Sequence, residues 1–254
     1  MTYKGEHAKV SSLFYNIGRM VGPRVRKVKW IWQSITASEA DTIKAEQEVG
    51  QDLAREIRNR LELDTEPRAG QMLNKVGRHL AACVANKLRT FSFEVIKGTE
   101  ANAFALPGGF IFVSRSLLEL CEWNQDELAF ILGHEMGHVI RGHSMGRIIT
   151  NSAIAVGANA TPIRGLLASW LGKVGVEFLE SAYSQDLELE ADALGARLVA
   201  VTGYDPHAPT RLLSRLSELS QSPKQFSLGN YFSSHPAFDV RIHNVDHLLH
   251  QRCS

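Results

Sequence analysis

From Ser38 onward, apolar residues recur at helical spacing. Ser38 and Asp41 make a cap pair, and Ile43, Leu53, Ile57 and Leu61 mark one inward face. Asp64-Thr65-Glu66-Pro67 breaks that pattern. A second helix is expected to run to about Arg89, with Met72, Leu73, Val76, Leu80, Val84 and Leu88 inward. The period then drops to two. Phe91–Ile96, Asn102–Leu106 and Phe110–Val113 read as strands, the last two joined by Pro107-Gly108-Gly109. The stretch that follows is helical again: Asn124 caps it, with Glu127 three residues on to close a capping box. Leu128, Ile131, Leu132 and Val139 give this helix a buried side. Residues 148–179 are apolar but interrupted by Asn151, Pro162, Arg164 and Lys173. They read equally as two helical pieces around a loop at 158–162 or as a flap over a site. One continuous helix is expected from Val174 to Ala200, ended by Gly203. Asp205-Pro206 opens another, with Leu212, Leu213, Leu216 and Leu219. A loop at Phe226–Ser234 leads to His235-Pro236 and to a last helix carrying Val240, Ile242, Val245, Leu248 and Leu249. The pattern predicts an α+β fold, mostly α, with a small antiparallel sheet just before the helix that starts at Asn124.

Composition adds three points. The chain has 254 residues, 44% of them hydrophobic, enough for one substantial core. Its net charge of +1 gives no nucleic-acid signal, and no nucleic-acid partner is expected. The charge is uneven, however. Residues 1–30 carry Lys4, Lys9, Arg19, Arg24, Arg26, Lys27 and Lys29 against Glu6 alone, a local net of +6. With Leu13, Phe14, Ile17, Trp30 and Trp32 interleaved, residues 1–37 read as a basic amphipathic arm. Such an arm either packs on the body or touches a membrane surface peripherally, and residues 38–254 form the main domain. No run of 18 apolar residues and no signal-peptide core is present, so no membrane span is expected. Three scattered cysteines, Cys83, Cys121 and Cys253, point to a reducing compartment, by default the cytoplasm.

The chemistry lies in the helix after Asn124. His134-Glu135-Met136-Gly137-His138 places two imidazoles one turn apart on one face, where both can grip one Zn²⁺. Glu135, about 100° round the helix, is offset from the pair yet close enough to reach a water at the metal. A catalytic zinc needs a third protein ligand. His143 is nine residues beyond His134, and nine steps of about 100° put it on the far face; it reads as a surface or structural residue. Glu188 and Asp192, four apart on the predicted later helix, share a face, while Glu190 points away. One carboxylate can bind zinc and the other accept the spare N–H of a zinc histidine, and either order fits the spacing.

HEMGH, followed by YSQDLELEAD, by FSSHPAFDVRI, and preceded by NAFALPGGFIFV, resembles the gluzincin metallopeptidase family of the CAAX prenyl endopeptidase and HtpX. The soluble BepA-like branch is the most similar, over roughly 90–250. The resemblance implies a zincin-like fold and one zinc per chain held by His134, His138 and Glu188. It implies Asp192 as the partner of a zinc histidine and Glu135 as the catalytic base. It also places His235 at the metal, either steadying an oxyanion or binding zinc in a resting state, and lets Arg241 pair with an acid nearby. The strand at Asn102, Ala103, Phe104 and Ala105 corresponds to the family's substrate edge strand. Gln185 stands where the family often has arginine. The function implied is a zinc-dependent endopeptidase acting on protein or unfolded peptide substrates in quality control, latent until activated. The alternative is a chaperone-like or membrane-surface binding protein on a silenced peptidase fold.

Overall fold

The computed structural model describes residues 38–148, 183–221 and 238–250. The basic arm, most of the apolar 148–179 segment, and His235 with its loop lie outside the described residues. Helix α1 (Glu39–Arg60) starts where expected. Ser38 is extended, its Oγ accepting the Asp41 N–H at 3.2 Å and donating to Asp41 Oδ2 at 2.7 Å. Helix α2 (Pro67–Ala82) opens with proline at its first position, where a missing N–H costs nothing. It stops seven residues short of Arg89. Lys87 Nζ donates to the carbonyls of Ala82 and Val84, both at 2.8 Å, and so satisfies the helix end early. Leu88, expected inward, is consequently exposed.

Strands β1 (Ser92–Ile96), β2 (Ala103–Leu106) and β3 (Phe110–Ser114) form one sheet in the order β1-β3-β2. β2 and β3 are an antiparallel pair, but β1 runs parallel to β3. The sheet is therefore mixed, not antiparallel. A two-residue period is the same in both directions, so alternation alone does not carry strand polarity. The β2–β3 connection is a single turn at Pro107–Gly109, with Gly108 and Gly109 at φ +74° and +90°. The outer edge of β1 is covered: Asp64 N donates to Val95 O and Lys97 N to Glu62 O, both at 2.8 Å. β2 holds the other edge.

Alternation sorts the sheet's side chains into two cores. Phe93, Val95, Ala103, Ala105, Ile111 and Val113 join α2 and the helices beyond, while Ile96, Phe104, Leu106 and Phe112 meet α1. Phe104 and Phe112 are cross-strand partners with rings stacked at 5.3 Å. Short α3 (Arg115–Leu120) leads into α4 (Gln125–Ile140). After a break the chain is helical again over 143–148. The later helices are α5 (Gln185–Val201), α6 (Ala208–Gln221) and α7 (Phe238–His250). α5 does not begin at Val174. Ser184 is extended (φ −71°, ψ 153°), so the helix starts only at Gln185. It ends as expected, with Gly203 at φ +77° and Tyr204 N bonded back to Val199 O.

Candidate metal centre

Helix α4 is anchored at its start by Asn124, whose Oδ1 accepts the N–H groups of Asp126 and Glu127 at 2.9 and 3.1 Å. The capping box is not closed: Asn124 N donates to Cys121 O, and the Glu127 carboxylate pairs with Arg215 of α6. Every residue of α4 from Glu127 to Val139 is buried. An all-round buried helix must meet its neighbours closely, and α5 crosses it on small residues. A Cβ built on Gly133 would lie 3.0 Å from the Cα of Gly195, and one on Gly137 3.0 Å from the Cα of Ala191. This approach carries the α5 carboxylates to the α4 histidines.

His134 Nε2 and His138 Nε2 are 3.0 Å apart. Glu188 Oε2 is 3.6 Å from the first and Glu188 Oε1 3.4 Å from the second. All three side chains are fully buried, and their ligand atoms lie within 4.8 Å of one another. A tetrahedral ion bound at 2.0–2.1 Å would separate its ligands by about 3.3 Å, so the spacing fits a divalent cation. The protons fit too. His134 Nδ1 is 2.8 Å from Asp192 Oδ1, so Nδ1–H donates to the carboxylate and Nε2 is left with a lone pair. Two converging lone pairs and a carboxylate in a buried site repel one another unless a cation lies between them. The group can thus hold a metal ion.

The surroundings come from three elements. Arg241 of α7, also fully buried, donates from Nε to Asp192 Oδ2 at 2.7 Å and from Nη2 to Asp192 Oδ1 at 2.8 Å. Its Nη1 is 3.2 Å from Glu188 Oε2. Burial alone would push the Asp192 carboxyl up, but the Arg241 guanidinium and the His134 hydrogen bond outweigh it and hold it below the usual range. Burial pushes His138 well below the ordinary imidazole value, keeping it neutral as ligation requires. Glu135 is 1% exposed, beside the two histidines on α4.

Residues 67–249, which include every one of these side chains, match the family model described as Peptidase family M48. The chain belongs to that family. Similar proteins include the mitochondrial metalloendopeptidase OMA1 of Schizosaccharomyces pombe, 30% identical over 63% of this chain and 47% of its own length. The metalloprotease LoiP of Escherichia coli is 32% identical over 61% of each chain. The beta-barrel assembly-enhancing protease of Yersinia pestis is 27% identical over 85% of this chain and 47% of its own. The chain thus spans less than two thirds of each of these relatives. Among the described residues no helix is long and apolar enough to cross a membrane.

In this M48 site the structure brings His134, Glu135, His138, Glu188 and Asp192 together, with Arg241 added. Ala103, Phe104 and Ala105 lie in β2 at the sheet edge, and Asn102 immediately precedes it. Two neighbours escaped the sequence reading. Tyr183, just before the α5 cap, stacks on His138 with centroids 3.9 Å apart and planes at 13°; burial pushes its phenol up to about 12. His143, read as a far-face residue, is instead buried with Nδ1 3.1 Å from His138 Nδ1. The phase count failed because α4 does not continue: Gly142 at φ +72° turns the chain back. Gln185 is exposed at the start of α5.

Proposed function

We propose that the chain is a zinc-dependent endopeptidase. The observation that carries this reading is the buried convergence of His134 Nε2, His138 Nε2 and the Glu188 carboxylate oxygens at 3.0–3.6 Å, with buried Glu135 on the same helix turn. Zinc held there supplies a Lewis acid that polarises the scissile carbonyl and acidifies water. Glu135 takes the proton of the attacking water and delivers it to the leaving amine. Asp192 holds His134 in its ligating tautomer, and Arg241 keeps Asp192 ionised. β2, the end strand of the sheet and buried along Ala103–Leu106, is the edge an extended substrate would pair with, since the far edge of β1 is already bonded to residues 62–64. Names such as beta-barrel assembly-enhancing protease among its relatives suit a role in protein quality control. The free thiols Cys83 and Cys121 suit a reducing compartment.

The test is metal content together with cleavage of an unfolded protein. Wild type should hold one zinc and cleave; Glu135→Gln should keep the zinc and lose turnover by at least about a hundredfold. Native-rate cleavage by that variant would remove Glu135 from the mechanism, and full zinc content in Glu188→Ala would remove Glu188 from the ligand set. His235→Ala distinguishes the two roles of that residue: faster cleavage marks a latch, slower cleavage an oxyanion donor. For β2, substrate peptides methylated on the pairing amides should bind more weakly, and equal KM would reject the edge. Peripheral membrane contact by residues 1–37 rests on their charge. Salt-sensitive flotation with anionic vesicles checks it, and an arm that stays with the protein fraction refutes it.

A further inference from the structure

We propose that His143 is a positioning residue for His138, with Glu190 as its own anchor, so that α5 sets the tautomers of both metal histidines. The proposal rests on the zinc reading above. A histidine that ligates through Nε2 must carry its proton on Nδ1, and that proton needs an acceptor. For His134 the acceptor is Asp192, by direct contact. For His138 the atom facing Nδ1, at 3.1 Å, is Nδ1 of His143. Two ring nitrogens at this distance share one proton, so when His138 donates, His143 must be protonated on Nε2 instead. That nitrogen faces Glu190 Oε2 at 3.5 Å. The carboxylate favours the Nε2–H form of His143, which in turn leaves His143 Nδ1 open to accept.

The backbone is arranged to permit this. Gly142, in the left-handed region at φ +72°, ends α4 and returns the chain so that the His143 ring lies against His138, with centroids 5.2 Å apart. His143 is 5% exposed. Tyr183 stacks on the face of the His138 ring and limits its rotation. The spacing along α5 then acquires a single logic. Glu188 enters the donor set, Asp192 orients His134, and Glu190, although it points away from the other two and is half exposed, reaches His138 through His143.

The test uses the full chain and reads zinc affinity by competition with a chromophoric chelator. His143→Leu removes the acceptor and keeps bulk; His143→Asn keeps an acceptor oxygen near the Nδ1 position. Affinity should fall about 10- to 100-fold in the leucine variant and less than about threefold in the asparagine variant. Glu190→Ala should lose affinity near the lower end, about tenfold. The visible spectrum of the cobalt(II)-loaded protein, which reports the ligand field, should change with leucine and not with asparagine. Equal affinity in His143→Leu and wild type, or equal losses in the two His143 variants, overturns the role of His143. Unchanged affinity in Glu190→Ala overturns that of Glu190. If melting of the metal-free leucine variant shows that it does not fold, the decision passes to Glu190→Ala, whose site is exposed. A wild-type chain that takes up no zinc would instead sink the metal reading itself.

Discussion

Arg241 heads the fully buried side chains in size among the described residues, and it answers two carboxylates at once. Without it Asp192 and Glu188, both fully buried, would confront each other with no guanidinium between them. Breaking a buried ion pair on one side leaves an uncompensated charge, which costs about 3–5 kcal/mol. Arg241→Met should therefore lower the unfolding free energy of the chelator-treated protein by roughly that amount, measured by urea denaturation; a loss under about 1 kcal/mol would show the guanidinium to be replaceable. The sequence carried this residue only weakly, through its place in a motif shared with His235. The strong signals were the two pairs four residues apart, His134 with His138 and Glu188 with Asp192, because helical phase is local and can be counted. His143 and Tyr183 were not legible for the opposite reason. One depends on a positive φ at Gly142 and the other on what a helix cap packs against, and neither leaves a periodic trace.

At the scale of elements, the contact that makes the site is the α4–α5 crossing. A Cβ at Gly195 would meet His134 N at 2.8 Å and Gly133 C at 3.1 Å, both backbone atoms that cannot swing aside. Gly70 in α2 is the natural comparison, since a Cβ there meets nothing within 4 Å. Helix propensity favours alanine over glycine by about 0.8–1 kcal/mol at either position. At Gly70 that gain should appear as added stability. At Gly195 it is opposed by overpacking worth about 1–3 kcal/mol, and the helices must part. Gly195→Ala should thus lose stability in urea and bind zinc more weakly, while Gly70→Ala should gain stability and keep its affinity. Equal effects at the two positions would mean the crossing is not what sets the donor distances. The crossing was invisible in the sequence, which showed the glycines but not their facing partners. Helix positions were read well where caps were strong, at Ser38, Asn124 and Gly203. They were misread where an end depended on a side-chain donor just past it, Lys87, and the parallel β1–β3 pairing was beyond a two-residue period.

For the molecule as a whole, the donor set joins parts that sequence keeps far apart: α4, α5 and, through Arg241, α7. The apolar core also binds these helices together. Yet the charged centre inside that core is costly when its lone pairs have no cation to face. Zinc binding should therefore stabilise the native state by mass action, about 4 kcal/mol when free zinc exceeds its Kd a thousandfold. In a chain of this size each kcal/mol moves Tm by about 2–4 °C, so stripping the metal should lower Tm by about 8–16 °C. Two variants separate binding from chemistry in the same calorimetric experiment. Glu188→Ala, lacking a donor, should melt at one temperature with or without zinc. Glu135→Gln should keep the whole zinc-dependent shift although it no longer cleaves, because Glu135 acts on the proton and not on the ion. A wild-type chain melting at the same temperature loaded and stripped would mean that the converging side chains do not link the helices through a metal, and the spacing of 3.0–3.6 Å would need another cause.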